Sequence, residues 1–426
     1  MGTRTVVTRA GVVSADDDRV TALLYFTQEA ARTGEPPRTT AGRAEVTVER
    51  VDGRWLVSDL RNFQARRRRD PMTGVEVKVE GLTKSFGRAN IWSDVSLTLP
   101  AGEVSVLLGP SGTGKSVFLK SLIGLLKPER GSIVIEGVDL CKCSESELYE
   151  IRKLFGVLFQ DGALFGSMNL FDNIAFPLRE HTRKSESAIR DIVMEKIDMV
   201  GLVGAEGKLP GEISGGMRKR AGLARALVLD PKIILFDEPD SGLDPVRTAY
   251  LNQLIIDLNA MTDSTFLIVT HDINSAQTVP DNIGLLYRKH LSMFGPREVL
   301  LTSDEPVVAQ FLNGRREGPI GMSEEKDAAQ AAREMEEAGG ELEGRPEMKP
   351  QLVASTGMPD RQAVHRRRER VQAMLHELPE SAQEAIREQY ADADTASTGP
   401  SRDGTTRQEA RAGDDWPTDV HPRVSG

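Results

Sequence analysis

Gly109-Pro110-Ser111-Gly112-Thr113-Gly114-Lys115-Ser116 satisfies every fixed position of the pattern G-x-x-x-x-G-K-[ST], and its flanks agree with it. Val104 to Leu108, just before it, is a short apolar run of the kind that forms a buried strand. Val117 to Ile123, just after it, reads as a helix opening. Strand, glycine-rich loop and helix in that order build a cradle for phosphates. The glycines let backbone N–H groups close around an anion, the helix presents its positive end, and Lys115 adds a full charge near the β and γ phosphates. Ser116 is then placed to ligate Mg²⁺ through its hydroxyl, so Gly109 to Val117 form a nucleotide-binding candidate. The fold class that follows is α/β, with a P-loop core.

A second stretch completes the chemistry. Ile233-Ile234-Leu235-Phe236-Asp237-Glu238 is an apolar strand that ends in two carboxylates. Asp237 suits Mg²⁺, and Glu238 is positioned to orient and deprotonate an attacking water. A third motif, Ser214-Gly215-Gly216-Met217, opens the basic helix Arg218 to Leu227. A Ser-Gly-Gly turn at a helix start offers a hydroxyl and free N–H groups to an anion.

In this order and spacing the three motifs resemble those of the ATP-binding subunits of ABC transporters, over about Val75 to Gly314. The resemblance implies a mixed β-sheet core with an antiparallel β subdomain and a helical subdomain, and ATP with Mg²⁺ as ligands. It also implies roles for single positions. Gln160 is similar to the glutamine that contacts Mg²⁺ and senses the membrane partner. His271 matches the histidine that contacts the γ-phosphate and joins Lys115 and Glu238 as a catalytic candidate. Asp244, ending Ser241-Gly242-Leu243-Asp244, belongs to a loop that communicates across a dimer, and Phe86 stands where an aromatic stacks on adenine. Met217 replaces the glutamine usual at the end of the serine motif. Because each chain holds one copy of every motif, the resemblance implies that a second ATPase subunit completes each site, with Ser214 covering the partner's nucleotide.

A finer resemblance is to the ATPases of Mce-type lipid or sterol importers, the Mkl/MceG and MlaF-like group. It is carried by Ile91 to Glu103, by Phe155 to Phe165 and by the methionine form of the serine motif. It implies a YrbE-type permease and Mce substrate-binding chains as partners, and a position on the cytoplasmic face of the plasma membrane through the permease. Another ABC importer or exporter, for amino acids or drugs, shares all the catalytic motifs. A non-transport ABC ATPase is the third alternative, but such proteins typically carry tandem ATPase domains or a long coiled-coil insertion, and neither is present.

Around the ATPase region the chain divides further. Residues 1–65 carry three strand patterns, Val20 to Tyr25, Ala44 to Arg50 and Arg54 to Leu60, the last two joined at Asp52-Gly53. Arg43 to Val48 and Asp52 to Leu60 resemble the C-terminal part of Mce-associated proteins. Residues 66–74 read as a linker with four arginines, Arg66 to Arg69. Met72 stands where an ATPase domain would begin, so residues 1–71 read as a fusion or as a start codon assigned too early. Within the domain, Val75, Val77 and Val79 alternate with charged residues as in a half-buried antiparallel sheet, and residues 140–229 read as a mostly helical insertion. Ser303 to Gly314 is a closing helix. Residues 315–360 read as a flexible linker. Residues 361–390 read as a helical hairpin with apolar stripes at Val364, Val371, Met374, Leu375 and Leu378, then at Ala382, Ala385, Ile386 and Tyr390. Residues 391–426 read as a disordered tail.

Composition limits the alternatives. The chain has 426 residues and a net charge of -10, which argues against non-specific nucleic-acid binding. Cys141 and Cys143 are the two cysteines, with no second pair or nearby histidine to complete a zinc site. No run approaches the ~20 apolar residues of a membrane span. His181, His290, His365, His376 and His421 read as structural or surface residues.

Overall fold

The computed structural model describes residues 2–15, 18–31, 38–51, 54–63, 74–315, 318–320, 349–356 and 358–397. The first of these form a four-stranded antiparallel sheet in sequential order, β1 Gly2–Ala15, β2 Arg19–Ala31, β3 Arg38–Val51 and β4 Arg54–Phe63. Three strands are expected from the sequence. β1 is the addition, pairing with β2 from Gly2↔Ala31 to Ala15↔Val20. The expected Asp52-Gly53 turn and the arginine-rich linker at 66–73 lie outside the described residues.

The ATPase region opens one residue before the expected boundary, because buried Gly74 donates its N–H to Asp263 O at 2.8 Å. β5 Val77–Phe86 and β6 Ala89–Leu99 pair antiparallel, and with β8 Arg130–Ile135 and β9 Val138–Asp139 they make a sheet in the order β6-β5-β8-β9. β7 Val104–Leu108 leads instead into the main sheet and α1 Lys115–Leu122. Next come α2 Glu145–Arg152, β10 Phe155–Leu158, α3 Leu170–His181, α4 Glu186–Met199 and α5 Gly215–Leu227. Then follow β11 Ile233–Asp237, α6 Pro245–Thr262, β12 Thr265–Val269, α7 Ile273–Thr278, β13 Asn282–Tyr287 and β14 His290–Pro296. Helices α8 Arg297–Leu301 and α9 Pro306–Asn313 close the region, and Gly314 caps α9 at φ 60.

The main sheet runs β10-β11-β12-β7-β13-β14, parallel from β10 to β13 with β14 antiparallel at the edge. Its strands read as continuous apolar runs because both faces are covered. The period of two divides them between two cores. Ile234, Phe236, Phe266, Ile268, Val104 and Val106 face α3 to α6. Ile233, Leu235, Leu267, Val269 and Leu107 face Phe118 and Leu122 of α1 and Trp92 and Val95 of β6. The site therefore lies at the carboxyl ends of β10, β11, β12 and β7, the usual place for a ligand in an open parallel sheet.

Beyond Gly314 the structure corrects the sequence reading. Residues 349–356, expected to belong to a flexible linker, are packed: Leu352 and Ala354 lie against the core, and the Gln351 amide donates to Pro280 O at 2.9 Å and Asp281 Oδ1 at 3.1 Å. The expected hairpin is α10 Gln362–Met374 and α11 Glu380–Ser397, so helix continues past the expected limit at residue 390. The hairpin docks on the ATPase region itself. Its inward face carries Ala363 and Val371 but also Arg361 and Arg367, both buried, so arginines replace part of the expected apolar stripe.

Candidate functional site

The phosphate loop leaves β7 and enters α1 through Gly114, whose φ of 85 suits glycine. A Cβ there would overlap Ile91 Cγ2 and lie 2.9 Å from Trp92 Cδ1, so the loop and the antiparallel sheet pack with no room for a side chain. The first intrahelical bond of α1 runs from Phe118 N–H to Gly114 O at 2.9 Å, and the N–H groups ahead of it point toward the loop. Lys115 is 5% exposed and folds over the loop, donating to Gly109 O at 2.7 Å and Pro110 O at 2.9 Å. Thr113 Oγ1 also donates to Pro110 O, at 2.9 Å.

Ser116 Oγ donates to Asp237 Oδ1 at 2.8 Å, which joins the phosphate loop to the end of β11. Burial pushes the Asp237 carboxyl above the ordinary range, opposed by that Ser116 donation and reinforced by the Glu238 charge. Glu238, the next residue, sits at φ 47 with its N–H on Val269 O at 2.9 Å. The turn brings its Oε1 to 3.5 Å from His271 Nδ1, so the groups that end β11 and follow β12 face each other. Left-handed backbone at a non-glycine residue is costly and is held by its surroundings.

Gln160, after β10, donates Nε2 to Ser241 Oγ at 3.2 Å. Ser214 caps α5, its Oγ accepting from Met217 N–H at 3.3 Å, while Met217 packs on the core in place of the expected glutamine. Gly215 and Gly216 begin the helix. The Asp244 carboxylate caps α6 through Arg247 N–H at 2.9 Å. Phe86 ends β5 with its ring 47% exposed and Lys84 Nζ 5.1 Å from the ring centroid.

The structure thus gathers Lys115, Ser116, Asp237, Glu238, His271 and Gln160 at one end of the sheet. Ser214, Gly215, Gly216, Asp244 and Phe86 stand on surrounding elements. Among the described residues, no hydrogen bond or ion pair joins any of these five to the phosphate loop.

Three contributions were not singled out from the sequence. Asp240 is buried, with its Oδ2 2.5 Å from Thr270 Oγ1, and burial raises its pKa against the Thr270 hydrogen bond. Arg225 of α5 donates to Gly162 O and Ala163 O, each at 2.9 Å, holding the segment after Gln160. Lys219, on the same helix, reaches the backbone after Glu238. The signal for Lys219 lies in helical spacing, since buried Gly222 and Leu223 follow it at three and four residues.

A phosphate loop whose serine is hydrogen-bonded to the carboxylate ending a parallel strand of the same sheet, one strand removed from its own, is the arrangement by which P-loop proteins hold and hydrolyse a nucleoside triphosphate, and the fold is theirs. Comparison with known proteins narrows the class. Residues 92–241 match the ABC transporter family. The Mycobacterium tuberculosis protein named probable ribonucleotide transport ATP-binding protein mkl is 74% identical over 321 residues, 74% of this chain and 89% of that one. The Haemophilus influenzae intermembrane phospholipid transport system ATP-binding protein MlaF is 43% identical over 244 residues, 57% of this chain and 92% of that one. Among solved structures, cbiO1 from Clostridium perfringens, part of the ABC transporter complex cbiONQ, aligns with a TM-score of 0.51 and 26% identity over 57% of this chain and 96% of that one. The chain belongs to the ATP-binding proteins of ABC transporters: it binds ATP and is the ATPase subunit of a transporter.

Proposed function

We propose that the chain hydrolyses Mg-ATP as a dimer, with Ser214 to Gly216 of each protomer covering the nucleotide on the phosphate loop of the other, and so drives an Mce-type permease in lipid or sterol uptake. The observation that carries the hydrolytic part is the Ser116 to Asp237 contact at 2.8 Å beside Glu238 and His271. Lys115 and the loop N–H groups bind and orient the phosphates, Glu238 takes the proton of the attacking water, and His271 holds the γ-phosphate side of the site. Ser116, Asp237 and Gln160 would hold Mg²⁺. The donors suit it, being mainly hard oxygens, two of them already within 2.8 Å of each other. When bound, the ion supplies charge that neutralises the β and γ phosphates. Phosphoryl transfer depends mainly on such positioning and charge stabilisation.

Lipid import is supported by the likeness to MlaF and by the stretches Ile91 to Glu103 and Phe155 to Phe165. The name of the 74% identical relative favours ribonucleotide transport as the second reading. Among the described residues no helix is long and apolar enough to cross a membrane. Attachment to the cytoplasmic face through a permease is part of the proposal and is supported by membership of the ABC transporter ATP-binding proteins. The test is to tag Gly426, solubilise membranes gently and identify copurifying chains by mass spectrometry. YrbE-like and Mce chains are the expected result. An unrelated permease would leave the ATPase and overturn the lipid reading.

A further inference from the structure

Lys219 is 5% exposed on the second turn of α5, the helix that Ser214 caps. Its ammonium donates to three carbonyls of one short segment: Pro239 O at 2.8 Å, Ser241 O, and Glu238 O at a longer 3.4 Å. Three carbonyls converging on one point repel each other unless a cation sits among them, and an ammonium has three donors to offer. The segment is the turn that begins at the left-handed Glu238 and ends at Ser241, whose hydroxyl receives Gln160 Nε2. Asp240, Asp161 and Glu238 are the acidic groups around Lys219. Burial lowers the Lys219 pKa, and those three carboxylates oppose the shift.

We propose that Lys219 is a positioning residue for hydrolysis: it clamps the Glu238 to Ser241 backbone so that the Glu238 carboxylate faces His271 and Ser241 keeps Gln160 in place. It touches no phosphate and acts through the backbone it holds. The proposal rests on Glu238 being the general base, as argued above. It also ties α5 to the turn that carries Glu238, so a shift at the Ser214 end of the helix is felt at the hydrolytic carboxylate of the same chain.

The test uses the purified full-length chain with Mg-ATP and compares wild type, Lys219→Met, Lys219→Arg, Glu238→Gln and the double variant Lys219→Met/Glu238→Gln. Methionine keeps the apolar stem and removes the donors; arginine keeps the charge but spreads its donors in a flat fork. Lys219→Met is expected to bind a fluorescent ATP analogue within about twofold of wild type, melt at a similar temperature, and lose roughly 10- to 100-fold in kcat, the scale of a small misplacement of a reacting group. Lys219→Arg should recover part of that loss. In the Glu238→Gln background, Lys219→Met should cost almost nothing further, because both changes act through one carboxylate. A wild-type kcat for Lys219→Met overturns the proposal. So do a fall in binding that matches the fall in rate, and a loss that multiplies undiminished with Glu238→Gln. If Lys219→Met does not fold, Lys219→Gln takes its place; failure of both to fold makes the ammonium a stability element and equally ends the proposal. Normal hydrolysis by Glu238→Gln would instead remove the general-base reading itself.

Discussion

Arg367 Nη1 lies 2.7 Å from Asp281 Oδ1, both side chains buried, at the end of the main sheet opposite the phosphate loop. Arg361 holds the other oxygen of the same carboxylate at 2.5 Å, and Arg367 Nε also reaches Glu298 Oε1 at 3.1 Å. Arg370 pairs with Glu103 at the start of β7, and Arg366 with Asp263 at 2.8 Å just before β12. The C-terminal hairpin thus neutralises acids gathered where β7, β12 and β13 begin.

The Asp281 group makes stability depend on acid. Burial alone would raise its pKa, but the guanidinium groups of Arg361 and Arg367 outweigh it and hold the carboxyl below the ordinary range. A depressed carboxylate stabilises the fold fully above its unfolded pKa of about 4 and loses that contribution as pH falls through the lower folded value. Melting followed by circular dichroism should therefore show this term constant above about pH 5 and declining below about pH 4. Asp281→Asn should lower stability at pH 7 by about 3–5 kcal/mol, since it leaves two buried cations short of their partner, and should flatten the acid limb. An unchanged melting curve would mean the pair contributes nothing net.

Truncation after Gly314 should damage the ATPase region rather than trim it. Glu103, Asp281 and Glu298 are fully buried, and the arginines of the hairpin that pair with them would be gone. The expected result is aggregation, or a melting temperature lower by at least about 10 °C, from one or more broken buried pairs. Differential scanning calorimetry of residues 1–314 against the full chain decides it.

Gly114→Ala should fold and bind nucleotide more weakly. Its φ of 85 penalises a Cβ, and the new methyl group meets Ile91 and the buried Trp92, so the loop must move away from the antiparallel sheet to admit it. A cost of about 1–3 kcal/mol at such a backbone position is enough to shift the loop without unfolding the domain. Isothermal titration with ATP is expected to show affinity at least about tenfold weaker, with circular dichroism unchanged.

Lys115→Ala and Glu238→Gln should separate binding from chemistry. The first removes the ammonium lying over Gly109 and Pro110 and is expected to abolish ATP binding. The second keeps the shape beside His271, should bind ATP normally, and should accumulate as an ATP-bound dimer on size-exclusion chromatography because hydrolysis no longer separates the pair. Glu238→Gln that remains monomeric with ATP would contradict the dimer proposal.

The phosphate loop, the strands β7, β11 and β12 and the carboxylates at the end of β11 were legible in the sequence because their signals are local. A doubly covered strand must be a continuous apolar run, and a phosphate cradle must have glycine where the backbone turns left-handed. Gln160, His271 and Phe86 were placed by family resemblance rather than by their surroundings, and the structure sets the first two at the same sheet end and leaves Phe86 at the exposed end of β5 in the antiparallel sheet. What only the tertiary structure decided is the part whose partners are distant along the chain. Arg361, Arg367 and Arg370 were not singled out from the sequence, where only the apolar stripe of the hairpin stood out, because their partners Asp281, Glu298 and Glu103 lie far earlier in the chain. Lys219 reads as one basic residue among several until the turn after Glu238 folds its carbonyls toward it. A charge is placed by whatever opposes it in space, and no local pattern records that.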